Sequence, residues 1–351
     1  MKTYKNLFDK INLFDKICSF ENLHLAYLKA RKSKRYRPYV LEFNFNLEEN
    51  LLNLQKDLLN LTYQPGPYRQ FTVCDSKKRQ IKALSFRDRV IHHALCNVIE
   101  LIFDRGFIYD SYACRKNKGV HRAVKRLEYF LKSLNTKFRE RAGAEIYCLQ
   151  CDISKYFENI NHHLLFIFIA KKIKDKKVLW LIKQVIESDS PGVPIGNLTS
   201  QLFANIYLNE LDQFVKHRLR IKYYLRYMDD FLILDSDKKK LHQIKEQIQK
   251  FLKEELKLEL HPKKANVFPI ERGIDFLGYR VFGTYRLLRK DTVKRFIKRT
   301  KNYQKRLKKG LLSREKFNNT LQSWLNYACY SNSWLLRRSL EKRLKVKFGK
   351  H

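Results

Sequence analysis

The sequence predicts an α+β protein in which antiparallel strands carry the candidate functional residues and helices surround the strands. Residues 223–234 form two runs rich in aromatic and branched side chains around a corner that contains Asp229 and Asp230, the pattern of a strand–turn–strand unit. Helical apolar stripes, such as that of residues 47–61, occur before and after this unit. With 44% hydrophobic and 13% aromatic residues over 351 positions, two or three packed subdomains are expected.

The charge balance indicates a polyanionic partner. Lysine and arginine number 73 against 35 acidic residues, which gives a net charge of +38. Nucleic acid fits this excess better than an anionic membrane surface does. No apolar run is as long as a membrane span and the N-terminus lacks a signal-peptide core, so we expect a cytoplasmic protein without a membrane partner.

Seven cysteines at scattered spacings do not suggest a disulfide framework. Cys148 and Cys151 form a lone Cys-x-x-Cys inside an apolar run, and no second pair completes a zinc site. We therefore predict that both are core residues.

The first 66 residues predict an N-terminal helical extension. A direct repeat, Asn-Leu-Phe-Asp-Lys-Ile, occupies 6–11 and 12–17, and apolar residues there and at 23–32 have near-helical spacing. The run Pro65-Gly66-Pro67 marks a boundary. Beyond it, residues 67–145 predict a hairpin with a basic tip at 75–79, then helices.

Residues 146–282 predict the central unit of the chain. A strand from 146 ends at Asp152, and Asn161 is a candidate cap for a helix at 162–174. A loop, a long amphipathic helix, the hairpin, another helix and a short strand pair follow, in the order 188–196, 199–219, 223–234, 241–256 and 273–282. The tail from 289 to 351 holds 20 basic and 3 acidic residues and a helical apolar stripe, so a folded basic helical module is expected.

Three carboxylates are the candidate catalytic groups. Asp152 ends one strand, while Asp229 and Asp230 lie side by side at a hairpin tip, which is costly unless a cation compensates their charge. Carboxylate oxygens suit Mg²⁺, and nucleotidyl transfer uses two such ions about 3.5–4 Å apart. Asp-Asp alone would equally suit an ordinary turn.

An ordered set of motifs resembles the reverse transcriptases. Tyr227-Met228-Asp229-Asp230 is similar to their Tyr-x-Asp-Asp box, and 151–157 resembles their first catalytic motif; 192–201, 258–267 and 276–278 continue the set in order. The resemblance implies a right-hand polymerase fold that follows an N-terminal extension at 1–66. Its fingers would be 67–145, its palm with an antiparallel sheet 146–282 (with a fingers-contributing segment near 160–195), and its basic helical thumb 283–351.

The loop at 193–201 reads Val-Pro-Ile-Gly-Asn-Leu-Thr-Ser-Gln and indicates which class of reverse transcriptase the chain resembles. Group II intron and retroviral enzymes usually have Gln-Gly-x-x-x-Ser-Pro here, whereas Ile195 and Gln201 resemble the variant of diversity-generating retroelements. That class implies error-prone, adenine-mutagenised cDNA made from a template-repeat RNA (mutagenic retrohoming), with a small basic accessory protein. A group II-like or antiviral bacterial reverse transcriptase, or a catalytically silent RNA-binding scaffold, remains an alternative.

The resemblance assigns roles at the catalytic centre. Asp152 and Asp229 would hold two Mg²⁺ ions, for which Mn²⁺ can substitute, with Asp230 in support and Ile153 as a further metal-site residue. Phe157 matches an aromatic steric gate against the ribose 2′ hydroxyl, with core packing as the alternative. Ile195 stands where related polymerases have a glutamine that hydrogen-bonds near the nucleotide, so a polar constraint on the base is lost.

Further residues are assigned to the substrates. The incoming dNTP would contact residues at the hairpin tip, in the 195–201 loop and near the leaving phosphates: Lys78, Arg79, Gly196, Gln201 and Lys264. For Lys264 a solvated turn is an equal alternative. The template RNA and the primer or cDNA duplex would contact Arg115, Tyr227, Met228, Phe276, Leu277 and Gly278, and the thumb would follow the duplex through phosphate contacts.

Overall fold

The computed structural model describes residues 12–74, 78–139 and 145–346. Helices and strands both contribute, which confirms the α+β prediction. The helices are α1 Leu13–Cys18, α2 Phe20–Ala30, α3 Pro38–Phe45, α4 Leu47–Leu59, α5 Phe86–Asp104, α6 Val120–Arg139, α7 His162–Lys172, α8 Lys176–Glu187, α9 Leu198–Gln213, α10 Lys238–Glu255, α11 Lys290–Lys308, α12 Arg314–Ala328 and α13 Trp334–Leu344. The strands are β1 Arg69–Cys74, β2 Lys78–Ala83, β3 Tyr147–Cys151, β4 Tyr224–Tyr227, β5 Asp230–Asp235, β6 Asn266–Pro269, β7 Ile274–Phe276, β8 Tyr279–Val281 and β9 Arg286–Leu288.

The N-terminal helices share a hydrophobic core with the rest of the chain. Helices α2 and α3 pack on α5, where the ring of Phe86 lies edge-on to both Tyr27 and Phe43. The proline-rich boundary at 65–67 thus ends the helices but not the core. The second copy of the direct repeat begins α1, and the first copy lies outside the described residues.

A four-stranded sheet, called here the palm sheet after the predicted palm, has the order β4-β5-β3-β6, with every pair antiparallel. Its two faces belong to different cores. Cys151 faces the core that includes α9 and α10, and Cys148 faces the core that includes α6 and the C-terminal helices. Because the two thiols are buried on opposite faces, they form no zinc pair and are core residues, as predicted.

Smaller sheets lie on either side of the palm in sequence. Strands β1 and β2 pair from Arg69↔Ala83 to Cys74↔Lys78, which confirms the predicted hairpin; its tip at 75–77 lies outside the described residues. The predicted strand pair near 273–282 is a three-stranded sheet, because β9 also pairs with β8. The predicted helix at 199–219 is α9 followed by a π-helical turn, Phe214–Arg218.

The basic tail folds into three helices, α11 to α13. Phe296 of α11 stacks on Trp324 of α12, with ring centroids 3.9 Å apart. The module contacts the β7–β9 sheet, where the Tyr279 hydroxyl donates to the Tyr327 carbonyl at 3.0 Å. Over the described residues, no helix is both long and apolar enough to span a membrane.

Candidate active site

The palm sheet brings the three predicted aspartates to one edge. Cys151, the last residue of β3, pairs with Phe231 of β5, so Asp152 emerges beside the start of β5. Tyr227 pairs with Asp230 across the hairpin, which leaves Met228 and Asp229 as a two-residue loop. Met228 has φ of 56°, and a positive φ is a feature of the short turns that suit twisted antiparallel strands.

The site places carboxylates in a partly desolvated position. Burial, followed by the charges of Asp229 and Asp152, raises the pKa of Asp230 to about 7. Burial also raises the pKa of Asp229, and Asp152 adds to the effect. Asp152 and Asp230 line the same cavity, so their negative charges lie near each other. Such clustering favours a bound cation.

A lysine supplies positive charge at this edge. The Lys264 ammonium donates to Asp152 Oδ2, and its segment is fixed by a 2.8 Å bond from the His261 amide to the Asp152 carbonyl. This pairing shows that the Asp152 carboxylate accepts a cation, and the oxygen donors suit Mg²⁺. Within the described part of the chain, no three His, Cys, Asp or Glu side chains form a ready metal cluster. Lys264 contacts one oxygen of Asp152, Oδ2, so an ion at that oxygen would have to displace the ammonium group.

Ile153 lies next to the carboxylates with its side chain buried. It forms an antiparallel bridge with Leu260, flanked by bonds from the Ser154 amide to Glu259 and from the His261 amide to Asp152. These flanking bonds make Ile153 and Leu260 the type of pair that exchanges no hydrogen bonds. The Ile153 carbonyl consequently points away from Leu260, which suits the predicted place near an ion.

A cavity of about 370 Å³ opens in front of Asp152 and Asp230. Lys264 lines it, together with the predicted primer-contact residues Phe276, Leu277 and Gly278. Leu277 and Gly278 form the β7–β8 turn with φ of 49° and 90°. A Cβ at Gly278 would lie 2.1 Å from the Tyr327 hydroxyl of α12, so this close approach favours glycine.

The loop before α9 packs against the predicted steric gate. The Val193 amide donates to the Phe157 carbonyl at 2.8 Å, which places Phe157 close to the loop of Ile195. At Gly192 a Cβ would lie 2.2 Å from the same carbonyl, so the approach requires glycine. Phe157 is partly buried, with its ring 5.5 Å from that of Tyr156.

Two predicted nucleotide residues line a different cavity. Gly196 and Gln201 face a space of about 350 Å³ that is also lined by Ile81 of β2 and by His92 of α5. Lys78 and Arg79 begin the same β2 strand, two to three residues before Ile81. Their backbone position agrees with the predicted hairpin tip; their side chains lie outside the described part of the structure.

Arg115 has a structural role that the prediction did not foresee. Its guanidinium binds the Asp104 carboxylate at 2.5 Å and the carbonyls of Ile108 and Ser111 at 2.7 and 3.0 Å, with the side chain only 8% exposed. Because its donors are used inside the protein, this geometry does not support the predicted primer or template contact. Arg115 instead holds the loop between α5 and α6.

Tyr227 and Met228 were predicted primer or template contacts, whereas Arg226 and Asp212, which lie beneath the hairpin, were missed by the sequence reasoning. Tyr227 and Met228 are partly buried, and burial raises the pKa of the Tyr227 hydroxyl. Below them, Arg226 is fully buried against Asp212 of α9. An arginine inside an apolar strand was the available signal, because such a charge needs a buried partner.

Comparisons with known proteins agree with this arrangement. Residues 69–281 match the protein family described as reverse transcriptase (RNA-dependent DNA polymerase). Protein YkfC of Escherichia coli K12 is 28% identical over 272 residues, which cover 65% of this chain and 70% of that protein. The group II intron-encoded protein LtrA of Lactococcus lactis is 27% identical over 323 residues, covering 71% of this chain. The match spans only 51% of LtrA.

Solved structures share the fold at low identity. Telomerase from Candida tropicalis, truncated from the C-terminal domain, has a TM-score of 0.51 at 14% identity, over 64% of this chain and 55% of that one. The same enzyme in complex with a TWJ fragment of telomeric RNA also scores 0.51, at 13% identity, over 84% of this chain and 59% of that one. Together with the palm sheet, this likeness confirms the predicted right-hand fold.

Proposed function

The chain belongs to the reverse transcriptase family, whose group II intron-type members are among its relatives, and from this we propose that it extends a DNA primer along an RNA template at the Asp152–Asp229–Asp230 edge. One observation carries the proposal: Asp152 and Asp230 line a cavity that the β7–β8 turn also lines, and Asp229 directly precedes Asp230 at the hairpin tip. In this proposal the turn contacts the primer terminus and holds it facing the carboxylates. Template RNA, the cDNA duplex and dNTPs are the substrates.

The proposed catalysis rests on positioned charge. Two Mg²⁺ ions, when bound, would activate the primer 3′ hydroxyl and stabilise the leaving pyrophosphate. Asp152 and Asp229 would hold them, with Asp230 and the Ile153 carbonyl in support. Lys264 sits close enough to Asp152 to neutralise phosphate charge once it leaves that carboxylate.

The finer proposal is error-prone copying that diversifies a target gene, as in diversity-generating retroelements. Ile195 supports it, because an isoleucine cannot donate the hydrogen bond that a glutamine would offer near the nucleotide. We propose a small basic accessory protein as a partner on the same resemblance. The relation to LtrA favours a second candidate, an accurate group II-like enzyme.

Sequencing of cDNA made on a heteropolymeric RNA template separates these candidates. Errors concentrated opposite template adenine are expected for the wild type. Ile195→Gln should reduce them by a factor of about five, the equivalent of one net hydrogen bond of about 1 kcal/mol. Ile195→Leu is the matched control, since it restores no polar group and should leave the errors unchanged.

Other results would redirect the proposal. Accurate cDNA from wild type and variants alike would favour the group II-like candidate. Absence of cDNA on any template, even with the small basic accessory protein added, together with retained RNA binding would favour the catalytically silent scaffold.

A further inference from the structure

Arg226 is a fully buried arginine in the strand that leads to the catalytic turn. Leaving such a charge without a partner in a protein core would cost several kcal/mol, so its contacts define what the residue does. It lies in β4, two positions before Met228 and three before Asp229.

The guanidinium is paired on one side with a buried carboxylate. Its Nε and Nη2 donate to the two oxygens of Asp212 at 2.7 and 2.6 Å. The Tyr224 hydroxyl donates to the same carboxylate at 2.7 Å. Asp212 lies on α9, so this two-bond pair ties the guanidinium to a long core helix and fixes its orientation.

The remaining donor reaches the catalytic turn. Nη1 donates to the Met228 carbonyl at 2.9 Å and to the Asn205 side-chain oxygen at 3.2 Å. The Met228 carbonyl belongs to the peptide that links Met228 to Asp229. Met228 is in the left-handed region, which is strained for a residue with a Cβ, so the turn benefits from an external restraint.

The backbone of Arg226 is restrained as well. Its amide donates to the Asp110 carbonyl at 2.9 Å, and its carbonyl accepts from the Tyr112 amide at 3.0 Å. The guanidinium therefore has little freedom to move away from the turn.

We propose that Arg226 is a positioning residue for nucleotidyl transfer: oriented by Asp212, it holds the Met228 carbonyl and thereby sets the places of Asp229 and Asp230. The inference rests on the proposed function. A purely structural role predicts lost stability with normal activity per folded molecule. A positioning role predicts weaker ion binding and a lower kcat in protein that is folded.

The test compares a neutral pair with a matched control. Arg226→Gln combined with Asp212→Asn removes both buried charges, so neither is left unpaired, but the shorter side chain loses the fixed link to Met228. Tyr224→Phe removes another bond to the same carboxylate and leaves the link in place. Arg226→Lys retains the charge without the fork and should behave like the neutral pair.

Two readouts are measured on full-length protein whose folding is verified by its melting transition. Mn²⁺ binding, followed by electron paramagnetic resonance without substrate, should weaken about tenfold in the neutral pair. In Mg²⁺ primer extension, kcat should fall about 100-fold, as for a misplaced reacting group, while the KM for dNTP changes little. Tyr224→Phe should match wild type in both readouts.

Unchanged Mn²⁺ affinity in folded neutral-pair protein would overturn the inference. Failure of both Arg226 variants to fold would also contradict it, because the pair would then serve the stability of the palm. A wild type that binds Mn²⁺ but does not extend a primer would count against the proposed function alone, since the binding readout still tests Arg226.

Discussion

Asp230 is the residue whose environment departs most clearly from that of an exposed carboxylate at this edge. Its pKa moves from the ordinary 3.8 to about 7 through burial and the neighbouring charges of Asp229 and Asp152. In the folded, metal-free protein a proton is therefore held at pH values where the unfolded chain has released it. Stability from this group is present at low pH and is lost as pH rises from about 4 to 7.

The raised pKa of Asp230 gives a prediction for the stability of the metal-free protein. In EDTA, the melting temperature of the wild type should fall between pH 5 and about pH 7, and Asp230→Asn should flatten that fall because no charge develops at 230. Mg²⁺ at pH 8 should raise the melting temperature of the wild type more than that of the variant. Asp235→Asn, at the other end of β5, is the control and should keep the wild-type slope. A wild-type slope in Asp230→Asn would contradict the account.

At the residue scale, a candidate site residue could be predicted from the sequence where its neighbours in the chain define its position. Asp229 and Asp230 are adjacent and Asp152 ends an apolar run, so their convergence followed from strand pairing. The partners of Arg115 and Arg226 could not be read, because Asp104 and Asp212 lie 11 and 14 positions away and meet them only in the fold. The role of a buried arginine depends on which residue it pairs with, and sequence spacing alone does not identify that residue.

The β7–β8 turn is the element that joins the cavity in front of Asp152 and Asp230 to the C-terminal helices. Gly278 lies in it with φ of 90°, against the hydroxyl of Tyr327 on α12. Tyr327 also packs on Tyr279, with ring centroids 4.8 Å apart. A side chain at 278 would consequently displace Tyr327 and disturb the contact between the turn and α12.

Gly278→Ala should therefore impair primer extension beyond its effect on stability. The left-handed backbone alone costs about 1–2 kcal/mol with alanine. Gly310→Ala is a matched control, because Gly310 has φ of 69° and no atom within 4 Å of an added Cβ. Melting temperature and extension per folded molecule are measured for both variants. Equal extension by the two would contradict the proposed role of the turn.

At the element scale, the long helices and the hairpins were predictable because their apolar periodicity is local. Strand β6 was not, since four residues ending in proline show no alternation and its partner β3 lies over 100 positions earlier. Strand β9 was missed for the same reason: three residues carry no periodic signal, and only pairing with β8 makes them a strand.

At the scale of the whole molecule, the palm sheet separates two hydrophobic cores. The C-terminal helices belong to one core, and α10 belongs to the other, across the sheet. The predicted domain boundaries at 66, 145 and 282 stay predictions. Hydrophobic packing continues across position 66, since the N-terminal helices share a core with α5. The total charge of +38 was readable from composition, whereas the side of the sheet on which each lysine lies was not.

Thumb lysines should contribute to RNA affinity through phosphate contacts. Lys298 is exposed on α11 beside Arg295 and Arg299, so Lys298→Gln should weaken binding of a primer–template duplex. The slope of log affinity against log salt should fall by about 0.9, the value for one duplex phosphate contact. Lys253→Gln on α10 removes the same charge across the sheet and should leave the slope unchanged. Equal slopes for the two variants would show that the charge acts without a thumb contact.

The most direct test of the central claim is primer extension on RNA with Mg²⁺, by wild type and Asp229→Ala, with RNA affinity measured in parallel. We expect the wild type to extend and Asp229→Ala to lose extension by at least about 100-fold, because transition-state charge is no longer stabilised, with RNA affinity nearly intact. Extension by Asp229→Ala at the wild-type rate, or RNA binding by the wild type without extension, would contradict a polymerisation site at this edge of the palm.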